Sequence, residues 1–106
     1  MALSEKDIQE IAHELLEAER TLRPIEEISK RYPGMTVDDA YFVQLKTIEG
    51  KVKEGAVVVG RKIGLTSKAM QALIGIDEPD FGTIVDRNVR REGEAISTRQ
   101  MMMPRI

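Results

Sequence analysis

The sequence predicts an α+β fold, N-terminal helices followed by short β-strands, and three observations carry that prediction. Apolar residues recur at three- and four-residue spacing from Ile8 to Leu22 and again from Val37 to Val52, the signature of a helical face. At Gly55 the pattern changes to a β-branched run, Ala56 to Leu65, which reads as a strand. The charge changes at the same place: residues 1–54 hold 8 Lys/Arg against 12 Asp/Glu, residues 55–106 hold 8 against 6. The chain is therefore read as a helical N-terminal segment, 1–54, and a strand and loop segment, 55–106. Its 106 residues are one domain or less.

The first helix is expected over 5–21. Ser4 with Asp7 forms an Asp-bearing version of the capping box, and Ile8, Ile11, Ala12, Leu15 and Leu16 form the apolar side. Pro24 fits the first position of a short second helix, with Ile25 and Ile28 on one side and Tyr32-Pro33-Gly34 closing it. Thr36 and Asp39 repeat the start signal. Val37, Tyr41, Leu45, Ile48 and Val52 are the expected buried stripe of the third helix, which ends at Gly55 in a left-handed conformation. Gly50 weakens this helix by about 1 kcal/mol relative to Ala. Ser67 starts a one- to two-turn helix through Leu73, ended by Gly75, and Asp77 to Gly82 reads as a loop. Short strands are expected near Thr83–Val85, Ala95–Ser97 and Met101–Met103. The three methionines would then be core or interface filler.

Composition excludes several chemistries. The absence of cysteine removes disulfides, thiolate nucleophiles and cysteine-bearing zinc sites, and the single His13 removes any His-His metal pair. A formal charge of −2 gives no field for nucleic acid or anionic lipid, so neither is an expected partner. No apolar run approaches the ~20 residues of a membrane span. A cytoplasmic protein is the expectation.

Alternation along the strand puts Val58, Gly60, Lys62, Gly64 and Thr66 on one face. Lys62 is flanked there by two glycines, whose missing side chains leave room for a small anion beside the ammonium; equally, the glycines mark a bend and Lys62 reaches to water. Asp77, Glu78 and Asp80 are a general base or cation site, or a solvated turn. Phe81, if packed inward, fixes where the Asp80 carboxylate points. His13 reads as a surface residue, and Arg87, Arg90 and Arg91 as a solvated basic face. Neither a P-loop nor a dinucleotide fingerprint is present.

Several segments resemble the 2-keto-4-pentenoate hydratase family, hydratases and 4-oxalocrotonate decarboxylases within the fumarylacetoacetate hydrolase superfamily. These are Arg31-Tyr32-Pro33, Asp38-Asp39-Ala40-Tyr41 with Gln44, Val59 to Gln71 with its Gly-Arg-Lys-Ile-Gly-Leu-Thr core, Glu78-Pro79-Asp80-Phe81-Gly82, and Pro104-Arg105-Ile106. The resemblance runs through the whole chain in order but spans less than half of a family enzyme. It implies an incomplete part of a fumarylacetoacetate-hydrolase-like mixed β fold, in homo-oligomers. By motif position it implies Lys62 and Asp80 as active-site residues, and Leu65, Thr66 and Phe81 as lining the substrate pocket. The family's Mg²⁺ or Mn²⁺ ligands lie in an acidic E-x-E segment after Pro-Arg-Ile, so no metal ligand is assigned to this chain and tight binding by it is not expected.

The implied substrate is a small 2-oxo or 2-hydroxydienoic acid of aromatic meta-cleavage catabolism, with water added to give a 4-hydroxy-2-oxo acid. The alternatives are the decarboxylase of the same family and a non-catalytic helical interaction or oligomerisation module. The spatial expectation is that Lys62 and Asp80 converge on one small-acid cavity.

Overall fold

Ser4 and Asp7 cap the first helix, α1 (Glu5–Thr21), as the sequence predicts: the Asp7 amide donates to Ser4 Oγ at 3.0 Å and the Ser4 amide to Asp7 Oδ2 at 3.3 Å. The computed structural model describes residues 2–105; Ile106, last of the Pro-Arg-Ile motif, lies outside the described residues. Helix α1 buries Ile8, Ile11, Ala12 and Ala18 and leaves through Leu22, which is left-handed at φ 58°.

The short helix does not start at Pro24. Residues 23–27 are irregular and α2 spans only Ile28–Arg31. Arg23 would have to cap a helix beginning at Pro24, and its side chain has no oxygen to accept the first free amides. Arg31 ties α2 to α1 through two hydrogen bonds to Glu14, at 3.1 and 2.8 Å.

Helix α3 (Val37–Lys53) has the predicted Thr36–Asp39 capping box, and Gly55 is left-handed at φ 98°. Its buried side differs from the apolar stripe. Val37, Leu45 and Val52 are exposed and Tyr41 and Ile48 half-buried, whereas Asp39 and Val43 are buried. Two contacts rotate the helix. The Asp39 carboxylate turns inward to accept the amides of Ala2, Leu3 and Thr36 at 3.1, 3.3 and 3.0 Å. Gly50, on the same side three turns on, lets α1 come close: a Cβ there would lie 2.5 Å from Leu16 Cδ1. The helix penalty of glycine is thus offset by close packing. The resulting main cluster of the core is Leu3, Ile8, Ile11, Ala12 and Val43, with Leu15, Ile28, Tyr32 and Met35 packed on it, while Val85 is buried apart from it in the second half.

The network around Asp39 sets a pH dependence. Burial alone pushes this carboxyl's pKa up, but the hydrogen bonds from Thr36, Leu3 and Ala2 outweigh it and hold it below the usual Asp range. A lowered folded-state pKa stabilises fully above the unfolded value of about 3.9 and is lost as pH falls through the lower folded value. Thermal melts between about pH 6 and about pH 2 are therefore expected to fall steeply only below about pH 4. In Asp39→Asn the midpoint is lower at neutral pH and the acid slope shallower; parallel slopes in both proteins would refute the assignment.

Strand β1 (Val58–Gly64) pairs antiparallel with β2 (Asp80–Val85), the register slipping between Val58 and Gly60. Between them lies α4 (Lys68–Ile74), capped by Ser67 Oγ on the Met70 amide at 3.1 Å and ended by Gly75 at φ 88°. Asp80 to Gly82, expected in a loop, belong to β2. Ala95–Ser97 and Met101–Met103 are not strands: the segment is irregular, with 3-10 turns at Asp86–Asn88 and Thr98–Gln100. Among the described residues no strand lies beside them to supply ladder partners, and Met101 and Met103 are exposed rather than core. No described helix is long and apolar enough to cross a membrane.

Candidate functional site

The register of the hairpin sets Lys62 opposite Gly82 and Gly64 opposite Asp80. Directly opposed residues of an antiparallel pair share a face, so these four form a square with Lys62 and Asp80 on one diagonal and two glycines on the other. Both glycines are filled by their neighbours. A Cβ on Gly82 would lie 2.6 Å from Lys62 Cε, and one on Gly64 would collide with Asp80 Oδ1. The lysine stem therefore lies over Gly82 and the carboxylate over Gly64. Sequence alternation named Gly60 and Gly64 as the space beside Lys62; in the structure Gly60 is open and the space comes from Gly82 on the facing strand. Neither Lys62 nor Asp80 forms an ion pair with any described residue, so both charged groups are available.

Helix α3 fixes β2 behind this face. The Phe81 amide donates to Tyr41 Oη and Gln44 Nε2 donates to the Phe81 carbonyl, each at 3.1 Å, so one residue's two backbone groups are held by side chains one helical turn apart. The Tyr41 and Phe81 ring centroids are 6.4 Å apart. Phe81 is anchored by its backbone and not by inward packing, since it is 53% exposed. Neither Tyr41 nor Gln44 was legible as a support. Their function depends on β2, some 40 residues away in sequence.

A groove of about 350 Å³ runs between the helices and the hairpin, lined by Val43, Gln44, Thr47, Lys62 and Gly82 among others. Asp80, Leu65, Thr66 and Phe81 do not line it. Lys62 and Asp80 share one open sheet face, and of the two this groove reaches the lysine.

Leu65 follows β1 directly and takes a left-handed φ of 52°, a conformation costing a non-glycine residue about 1–2 kcal/mol. Its carbonyl accepts from Gln71 Nε2 at 2.7 Å. Thr66 is exposed beside it, as are Asp77 and Glu78 in the loop before β2. Among the described residues no three His, Cys, Asp or Glu side chains gather to hold a cation.

No family model matches the chain. Relatives are nevertheless clear. It is 45% identical over 96 residues to 2-oxo-hept-4-ene-1,7-dioate hydratase of Escherichia coli, covering 91% of this chain and 36% of that enzyme. It is 38% identical over 98 residues to 2-keto-4-pentenoate hydratase of Paraburkholderia xenovorans (strain LB400), covering 92% and 36%. With 4-oxalocrotonate decarboxylase of Pseudomonas sp. (strain CF600) the identity is 34% over 104 residues, covering 98% and 39%. Among solved structures, 4-oxalocrotonate decarboxylase from Pseudomonas putida G7 complexed with magnesium and adipate superposes with a TM-score of 0.77 and 33% identity, over 80% of this chain and 32% of that one. A second structure of that decarboxylase, complexed with calcium and acetate, matches equally well. The chain spans little more than a third of the length of these curated relatives. By sequence and by fold, these 106 residues resemble a portion, fitting an N-terminal one, of the 2-keto-4-pentenoate hydratase family, its hydratases and its 4-oxalocrotonate decarboxylases alike.

Proposed function

We propose that this chain supplies the lysine and aspartate side of the active site of a 2-keto-4-pentenoate hydratase-type enzyme. The observation that supports it is the Lys62–Asp80 diagonal on one sheet face, where the missing side chains of Gly82 and Gly64 let the lysine stem and the carboxylate lie over the two remaining corners. The substrate is 2-hydroxypenta-2,4-dienoate or a close dienoate, and the product a 4-hydroxy-2-oxo acid. In ketonisation the enol proton leaves the 2-oxygen and a proton arrives at C5. Water oxygen then adds at C4 and its proton at C3. Lys62 donates to the substrate's 2-oxygen as negative charge develops there, and Asp80 orients the water and carries its proton. Leu65, Thr66 and Phe81 flank the substrate.

In this reading the helical segment 1–54 braces the hairpin, 55–106 carries half of the site motifs, and the remaining motifs, any Mg²⁺ or Mn²⁺ ligands included, lie on residues outside this chain. The complete assembly is a cytoplasmic homo-oligomer with the fumarylacetoacetate-hydrolase-like mixed β fold. A decarboxylase is the second reading, favoured by the match to 4-oxalocrotonate decarboxylase structures.

The test offers 2-hydroxypenta-2,4-dienoate and 4-oxalocrotonate, with Mg²⁺, to the 106 residues alone and to a polypeptide that continues them through an E-x-E segment. Loss of dienol absorbance without CO₂ release, by the longer polypeptide only, is the expected result. CO₂ release from 4-oxalocrotonate instead selects the second reading, and turnover by the 106 residues alone overturns the division of the site.

A further inference from the structure

We infer that Gln71 is a positioning residue for this site, clamping the left-handed turn at Leu65 so that Leu65 and Thr66 stay set beside the face that carries Lys62 and Asp80; this rests on the hydratase reading above. Leu65 immediately follows Gly64, the corner over which the Asp80 carboxylate lies. A leucine at φ 52° persists only where its surroundings impose it. The imposing contact is the 2.7 Å hydrogen bond from Gln71 Nε2 to the Leu65 carbonyl. Reversing the amide would set two oxygens against each other, so its orientation is fixed.

Gln71 is only 5% exposed, and its Oε1 is buried with no partner among the described residues. A side chain needed only to fill space would be better served by leucine, which leaves no bare oxygen inside. The glutamine is explained by the one bond it makes. Because the next residues, Thr66 and Ser67, lead straight into the α4 cap, that bond decides where the chain turns away from the sheet.

The test uses Gln71→Leu, of similar volume, and the same change in a Leu65→Gly background, where the left-handed turn carries no penalty and needs no clamp. In the 106-residue chain, the amide-to-α-proton coupling and Cα shift of residue 65 report its φ. Gln71→Leu is expected to move it to negative φ. In the dienoate-hydrating polypeptide, Gln71→Leu is expected to raise KM about 10-fold with kcat changed less than about 3-fold, since Lys62 and Asp80 remain in place. In the Leu65→Gly background, adding Gln71→Leu is expected to leave KM unmoved. Retention of positive φ in Gln71→Leu overturns the clamp whatever the activity, as does an equal KM rise in both backgrounds. A wild-type polypeptide without hydratase activity overturns the site reading instead, and the φ measurement then decides the clamp alone.

Discussion

Replacing Lys62 by alanine in the dienoate-hydrating polypeptide is expected to lower kcat/KM by about 10²–10⁴-fold, the range for removal of a positioned proton donor. The chain's other cations do not stand in for it. Lys51, which also reaches the groove, is paired with Glu19 at 3.0 Å, whereas Lys62 has no carboxylate partner among the described residues. Lys62→Arg restores the charge but not the fit, because a planar guanidinium replaces an ammonium on a stem laid flat over Gly82. Gly82→Ala tests the same geometry from the other side: its Cβ meets Lys62 Cε at 2.6 Å and displaces the stem, for an expected loss of about 10-fold. Steady-state kinetics of the three variants decide the matter. A Lys62→Ala protein within about 3-fold of wild type would remove lysine from the mechanism.

Ile11→Ala is expected to cost about 2–5 kcal/mol, the range for truncating a buried aliphatic side chain. Ile11 is completely buried, and only Leu3, Ile8, Ala12 and Val43 share its buried cluster. Against the total stability of about 5–15 kcal/mol for a chain of this length, that loss is large. Thermal melts followed by helical circular dichroism should show a midpoint lowered by at least about 10 °C. Leu45→Ala is the control: the apolar stripe makes Leu45 core, but it is 56% exposed, so its loss should stay within about 0.5 kcal/mol. If the two substitutions destabilised equally, the observed rotation of α3 would be wrong.

That contrast shows where reading residues in order succeeds. Capping is local, so Ser4 with Asp7, Thr36 with Asp39 and Ser67 before α4 announce their helices at the correct residues. The buried side of α3 is not local. It is fixed by the amides of Ala2 and Leu3 reaching Asp39 from 36 or 37 positions away and by Leu16 meeting Gly50. The site divides in the same way. Lys62, Asp80 and the use of glycine as space are visible in the motifs, but which glycine serves which side chain is a property of strand register. Gln71 gives no signal in periodicity, because one polar residue on a short helix reads as solvated until its partner carbonyl is known. The strands expected at Ala95–Ser97 and Met101–Met103 fail for the complementary reason: a strand requires a neighbour, which composition does not supply.

The two bonds that α3 makes to the Phe81 backbone have a directional consequence. They occupy the outward amide and carbonyl of Phe81, groups through which a further strand would add there. Ile63, opposite Phe81, points its own backbone groups the other way, and no described residue bonds them. At this level of the ribbon a further strand therefore finds the β1 side, at Ile63, open and the β2 side, at Phe81, already taken by α3.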